Sequence, residues 1–270
     1  MVHLLPILSL PFKDYHNLDS RSRGWILQLA ARASHYWGNT EDALRLQQEA
    51  FVHNDNLLKP QIQPPYVAIT APGSQALGIV AQMQDFQMRR GYLSEFEKIV
   101  SHLVPDVSSG QFEEALARLG GVLGFNVDRP DKKCGQGPDV LWLLTDRLGL
   151  IIEVKSKKQA GNALTKEEHG QLLNAGEWFK EKYPAHSGIL VCVHPNTRAT
   201  RNTPASDSKA LTFDKLNELV SDTRHLLQEL CSHALPHAQL EIRCEQSLQS
   251  SHLQPQKFIQ HYLVPFQKIE

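Results

Sequence analysis

The chain has 270 residues, room for about two domains, and its 41% hydrophobic and 21% charged residues are ordinary for a soluble globular protein. A net charge of −1 excludes a molecule that is basic throughout. No stretch approaches the roughly 18 apolar residues that a membrane-spanning helix needs. Cys134, Cys192, Cys231 and Cys244 are widely spaced, with no CxxC pair and no zinc-like spacing, which is the pattern of reduced cytosolic thiols. The apolar start, Met1 to Leu10, contains Pro6 and has no basic region before it, so it makes a poor signal peptide. A cytoplasmic location without membrane association is expected.

Residues 20–56 read as a helical hairpin. Trp25, Leu27, Leu29 and Ala30 begin an apolar stripe, and Gly38-Asn39-Thr40 makes the turn. Thr40 with Glu41 and Asp42 then reads as an N-cap with acids in the first turn. Ala43, Leu44, Leu46, Ala50 and Phe51 continue at helical spacing. A Pro-rich connector with Pro60, Pro64, Pro65 and Pro72 follows. A second helical pair runs through Ala76, Leu77, Ile79, Val80, Met83 and Phe86, turns at Arg90-Gly91, and continues through Phe96, Ile99, Val100 and Leu103.

The small residues Ala31, Ala43 and Ala50 are separated by 12 and 7 positions, and this spacing resembles that of a tetratricopeptide repeat, whose two helices approach closely. Leu27, Ser34, Gln47 and Asp55 depart from the large residues and proline that the family prefers there. The turns at Gly38 and Gly91 lie 53 residues apart, longer than the repeat's period of about 34. The resemblance implies either the tail of a longer helical array or a helical cap, and the array is favoured. Residues 1–105 are therefore expected to form a helical, repeat-like region.

A second domain is expected over 106–235. One of Ser108, Ser109 and Gly110 leads a helix from Gln111 to Leu123, which Gly124 stops. Phe125 to Val127, Val140 to Leu144 and Ile151 to Lys155 read as strands, with Asp146-Arg147-Leu148-Gly149 turning between the last two. Leu164 to Lys182 is an amphipathic helix, and Gly188 to Val193 is the continuous apolar run of a buried strand. Arg198 to Ser208 is a polar loop, Leu211 to Phe213 a possible last strand, and Leu216 to Leu230 a helical stripe. Helices on a mixed sheet make an α/β sandwich. Residues 236–270, with two short helix-like segments, form a C-terminal extension.

The chemistry gathers between Pro138 and Lys155. Glu153 and Lys155 are two apart on one strand and share a face, while Val154 points into a core. Asp139 opens the neighbouring strand. Two carboxylates and an ammonium at adjoining strand ends suit a hard divalent cation held against a phosphate. Gly137-Pro138-Asp139-Val140 followed by Glu153-Val154-Lys155, with helices before and after, resembles the PD-(D/E)XK, restriction-endonuclease-like nuclease superfamily over about residues 108–230.

The resemblance implies a mixed central sheet flanked by helices, with Mg²⁺ or Mn²⁺ as cofactor. Asp139 and Glu153 would be metal ligands and Lys155 would orient the attacking water or stabilise negative charge. Glu113, preferred over Glu114, would complete the metal site from the first helix, and Gln171 matches a glutamine that some relatives carry on the helix after the ExK strand. His169 reads as a surface residue. From Arg129 to Lys158 seven Lys or Arg face four acids, a local positive excess in which Lys132, Lys133, Lys157 and Lys158 are candidates for backbone phosphates.

There is no GxxxxGK[ST] loop and no GxSxG elbow, which excludes a P-loop ATPase and an α/β-hydrolase elbow in this chain. The expected function is metal-dependent hydrolysis of DNA, RNA being open, and the resemblance implies a prokaryotic restriction, repair or antiviral defence setting. The N-terminal helices would dock a protein partner such as a helicase, and a homo-oligomer is possible on this reading. The alternatives are a nucleic-acid-binding module on a nuclease fold without catalysis, and a helical interaction scaffold.

Overall fold

A computed structural model describes residues 18–86, 88–232 and 235–268; the apolar start weighed as a signal peptide lies outside them. The chain divides into two compact units, one comprising residues 1–67 with 131–135 and the other residues 68–130 with 136–270. This division differs from the expected boundaries at 105 and 235. The second helical pair and the C-terminal segment share one apolar core with the sheet.

In the first unit, α1 (Ser20–Tyr36) and α2 (Thr40–His53) form the expected hairpin. Asp19 caps α1, and Asn39 caps α2 by accepting from the Asp42 N–H, so the second cap lies one residue before the expected Thr40. Leu27, Ala50 and Leu57 close a small core. Trp25 and Leu29, read as core residues, are instead 55% and 59% exposed. The buried stripe of α1 is narrower because Ala30, Ala31 and Gly24 carry the close approach. Lys132 pairs with Asp55 at 3.0 Å within this unit.

The second unit begins with α3 (Gln75–Gln84) and α4 (Arg89–Val100). Gly91 lies inside the first turn of α4 and not in the loop between the helices as expected. Then comes α5 (Ser109–Val122), opened by a reciprocal capping box between Ser108 and Gln111. The strands β1 (Asn126–Asp128), β2 (Val140–Leu143) and β3 (Leu148–Val154) form an antiparallel meander; the short α6 (Pro130–Cys134), which follows β1 in the chain, belongs to the first unit from Asp131 on. After α7 (Lys166–Lys182) the strand β4 (Ser187–His194) runs parallel to β3. A two-residue β5 (Arg198–Ala199) lies in the expected polar loop. The strand β6 (Ser208–Thr212) is parallel to β4, and Phe213, expected in that strand, already starts α8 (Phe213–Ser232).

The C-terminal segment contains α9 (His237–Ser250) and α10 (Pro255–Tyr262), as expected, and two short strands that were not expected. One of these, β7 (Val264–Pro265), pairs antiparallel with β6 and completes a six-stranded mixed sheet in the order β1-β2-β3-β4-β6-β7. The other, β8 (Gln267–Lys268), pairs with β5. Covering the free side of β6 removes an exposed sheet edge. The protein is thus a mixed α/β protein.

Alternation along the strands divides the sheet into two faces. Val140, Trp142, Leu150, Ile152, Val154, Val191, Val193 and Leu211 enter the main core with α3, α4, α5, α8, α9 and α10. Gly120 on α5 gives Trp142 the room for this, since a Cβ there would lie 2.5 Å from the indole. Cys192 and Ala210 face the other way, into a smaller core with Leu164, Leu172 and Phe266. No described helix is long and apolar enough to cross a membrane.

Candidate active site at the strand ends

The meander brings the start of β2 beside the end of β3. Val140 pairs with Ile152 in an antiparallel ladder, so the next pair outward sets Asp139 opposite Glu153. Asp139 reaches across this junction, and its carboxylate accepts the Val154 N–H at 2.8 Å. Just before it, Gly137 has φ +87°, and a Cβ there would lie 2.8 Å from the Trp178 ring of α7. A side chain at this position would push the Asp139 loop off the helix.

Glu153 is on the face opposite Val154 and is 7% exposed. A buried carboxylate needs compensation, and the Lys155 ammonium lies 3.7 Å from it. The Lys155 Nζ also donates to the Gln171 side-chain oxygen at 2.6 Å. The Lys155 backbone N–H bonds Val193 O, which prolongs the β3–β4 ladder and fixes where the side chain leaves the sheet. Asp139, Glu153, Lys155 and Gln171 are therefore brought together at one end of the sheet. The Lys155–Gln171 contact is exposed, so the cluster opens to solvent on the α7 side.

The loop after β3 is fastened to α7 twice. Lys155 holds Gln171, and three residues on Lys158 holds Glu168, one turn back along the helix. Glu168 also accepts from the Thr165 N–H and hydroxyl in a capping box. Burial alone would raise the Glu168 carboxyl, but Lys158 and Thr165 together bring it below its ordinary value. Asn196 donates to the carbonyls of Ala160 and Asn162 at 2.8 Å, which secures the rest of this loop.

The other expected residues have partners of their own. Glu113 and Glu114, treated as competitors for one role, both receive the guanidinium of the buried Arg129 that follows β1. Lys157 donates to the Asp106 carbonyl at 3.1 Å. Lys133 is exposed and, like Lys132, belongs to the first unit.

His169 corrects the sequence reading. It is 1% exposed and bonds the Ser208 hydroxyl at 2.9 Å, tying α7 to the start of β6. The signal was present in the helical spacing from His169 to Leu172 and Ala175, all buried on one face. His194, at the end of β4, is likewise buried and holds the Asn196 turn. Arg129 and the Lys158–Glu168 pair also went unread, because their partners are distant or have no fixed sequence spacing.

Burial lowers both histidines below the ordinary 6.5, so folding favours their neutral rings. Their contribution is complete above about pH 6.5 and is lost as pH falls through the lowered folded values. The depressed Glu168 carboxyl adds a second loss that starts below its ordinary 4.5. Thermal melting followed against pH should therefore fall on acidification from pH about 6.5. His169→Asn and His194→Asn should each flatten the slope between about pH 6.5 and 4.5. A slope unchanged in both variants would assign the acid sensitivity to other groups.

The class defined by these observations is a mixed α/β protein with an acid–acid–lysine–glutamine cluster at the ends of adjoining strands. Comparison of the chain with family models, with curated proteins and with solved structures gives no match.

Proposed function

We propose that the sheet-bearing unit is a metal-dependent nuclease with a restriction-endonuclease-like fold, hydrolysing phosphodiester bonds in DNA. The observation that carries this reading is the meeting of Asp139, Glu153, Lys155 and Gln171 where β2 begins and β3 ends.

The donor set fits a hard cation. Asp139 and Glu153 offer carboxylate oxygens, and the neighbouring Gln171 adds only an amide, which suits Mg²⁺ or Mn²⁺ better than a thiolate-seeking metal. Asp139 and Glu153 are the residues that would hold it. Such an ion, when bound, neutralises phosphate charge and acidifies a coordinated water. Lys155 supplies the remaining positive charge, aimed at the oxygen of an attacking water or of the phosphate. Gln171, which accepts from the Lys155 Nζ, orients the ammonium.

Lys157, exposed on the rim, and Lys133 are suited to sequence-independent phosphate contacts. The helical hairpin of the first unit, with Trp25, Tyr36 and Trp37 exposed, is suited to a protein partner such as a helicase. The resemblance to PD-(D/E)XK nucleases suggests a prokaryotic restriction, repair or defence system as the setting.

The test is incubation of the full chain with supercoiled plasmid, linear duplex, single-stranded DNA and RNA, with Mg²⁺, Mn²⁺ or EDTA. Cleavage of DNA that requires the cation and stops in EDTA is the expected result. Binding of DNA without cleavage under every metal condition would replace this proposal with a non-catalytic binding module.

A further inference from the structure

Far along the chain, α8 and the C-terminal extension assemble a second group of potential ligands. Glu218 and Asp222 are one helical turn apart on α8, so both carboxylates leave the same face. His252 lies in the turn between α9 and α10, and His261 lies near the end of α10. Asp222, His252 and His261 each present a ligand atom within 4.8 Å of the other two.

The surroundings orient His261 and Asp222 as they would be held in a coordination site. His261 Nε2 lies 2.5 Å from Glu218 Oε1, so Nε2–H donates to the carboxylate and the lone pair is left on Nδ1. A carboxylate behind a histidine fixes the tautomer of metal-binding imidazoles and raises their basicity. Asp222 is positioned in turn by the hydroxyl of the fully buried Tyr262, which donates to Oδ2 at 2.5 Å. The rings of His252 and His261 stack in parallel, 3.8 Å apart at 4°. An imidazole lone pair lies in the ring plane, so this stack does not aim both rings at one point. His252 is exposed and has room to swing out of the stack.

We infer that Asp222, His252 and His261, with Glu218 behind His261, form a binding site for a borderline divalent transition ion of the Zn²⁺ class. Two imidazoles and one carboxylate select such an ion over Mg²⁺, which demands oxygen ligands and dehydrates reluctantly. The site is chemically distinct from the Asp139–Glu153 cluster. Its ion clips the α9–α10 turn to α8, and so fastens the segment that delivers β7 to the edge of the sheet.

The experiment uses the full chain carrying Asp139→Asn and Glu153→Gln, so that the strand-end carboxylates contribute little to metal uptake. Zn²⁺ is titrated calorimetrically, and Co²⁺ is titrated by its visible absorption. One equivalent of either ion is expected to bind, unaffected by a large excess of Mg²⁺. His252→Ala, at an exposed position, should weaken uptake at least about tenfold without lowering the metal-free melting temperature, and His261→Ala should do the same to uptake. Zn²⁺ should raise the melting temperature of the parent and not of His252→Ala. No uptake by the parent, or uptake that His252→Ala leaves unchanged, would overturn the site.

Discussion

Glu153→Gln should leave the sheet intact and lower metal-dependent DNA cleavage by at least about 100-fold, the size of effect seen when a group that stabilises charge at a reacting centre is removed. The replacement keeps the volume and the hydrogen-bonding reach of the side chain. It removes only the negative charge from a position 7% exposed and 3.7 Å from Lys155. Single-turnover cleavage, measured with far-UV circular dichroism and thermal melting as controls, separates lost chemistry from lost structure.

Two companion substitutions sharpen the assignment. Asp139→Asn should shift the cation concentration for half-maximal rate upward, because it weakens a ligand. Lys155→Ala should instead lower the rate at saturating cation, because the lysine acts on the water or phosphate. Cleavage that survives Glu153→Gln at its original rate would remove the strand-end cluster from any catalytic role and leave a structural ion pair.

Gly124→Ala should destabilise the sheet-bearing unit by about 3 kcal/mol, from left-handed strain of roughly 1–2 kcal/mol and a steric clash of similar size. Gly124 ends α5 at φ +79°, and Phe125 N–H returns to Gly120 O to close the helix. A Cβ there would lie 2.3 Å from the Gln75 carbonyl oxygen and 3.1 Å from Ile79 Cγ1 on α3. The nearer clash is with backbone, which has little freedom to yield. The melting temperature should fall by about 6 to 12 °C for a unit of this size.

Gly110, in the first turn of the same helix, supplies the control. Nothing lies within 4 Å of a Cβ built there, so Gly110→Ala should be neutral or stabilising by up to about 1 kcal/mol. Equal effects at the two positions would mean that the packing of α3 against the end of α5 is not a determinant of stability.

Much of the local structure was legible because its causes are local. The first helical hairpin, the capped start of α5 and its glycine stop, and the apolar run of β4 follow from caps, periodicity and turn residues. The expected core on α1 was too wide, since Trp25 and Leu29 are apolar yet exposed. Residue type sets what burial would stabilise, but the arrangement of neighbours decides what is buried. The strands β7 and β8 were missed for a related reason. Two-residue strands carry almost no periodic signal, and their pairing with β6 and β5 is long-range.

At the candidate site the division is similar. Spacing within one strand was enough to place Glu153 and Lys155 on a common face, and a strand-turn-strand pattern was enough to bring Asp139 near them. Gln171 needed the position of α7, and the ammonium it accepts from gives it a partner that no local rule identifies. Glu113 was selected on its place beside the apolar face of α5, whereas the fold sets Arg129 between Glu113 and Glu114. His169 was read as exposed because a polar residue on an amphipathic helix usually is. Its burial depends on the Ser208 hydroxyl meeting it from β6.

The amino-acid sequence by itself determined the types of the longer helices and strands, the hairpin that joins the two acids, and the oxygen-rich chemistry of that corner. Only the tertiary structure decided which helix supplies Gln171, which arginine holds the α5 glutamates, and that His252 and His261 meet the α8 carboxylates. The physical reason is range. Caps, turns and strand alternation act over a few residues and are written in neighbouring side chains. Ion pairs and ligand clusters join residues tens of positions apart, and their partners are chosen when the core packs.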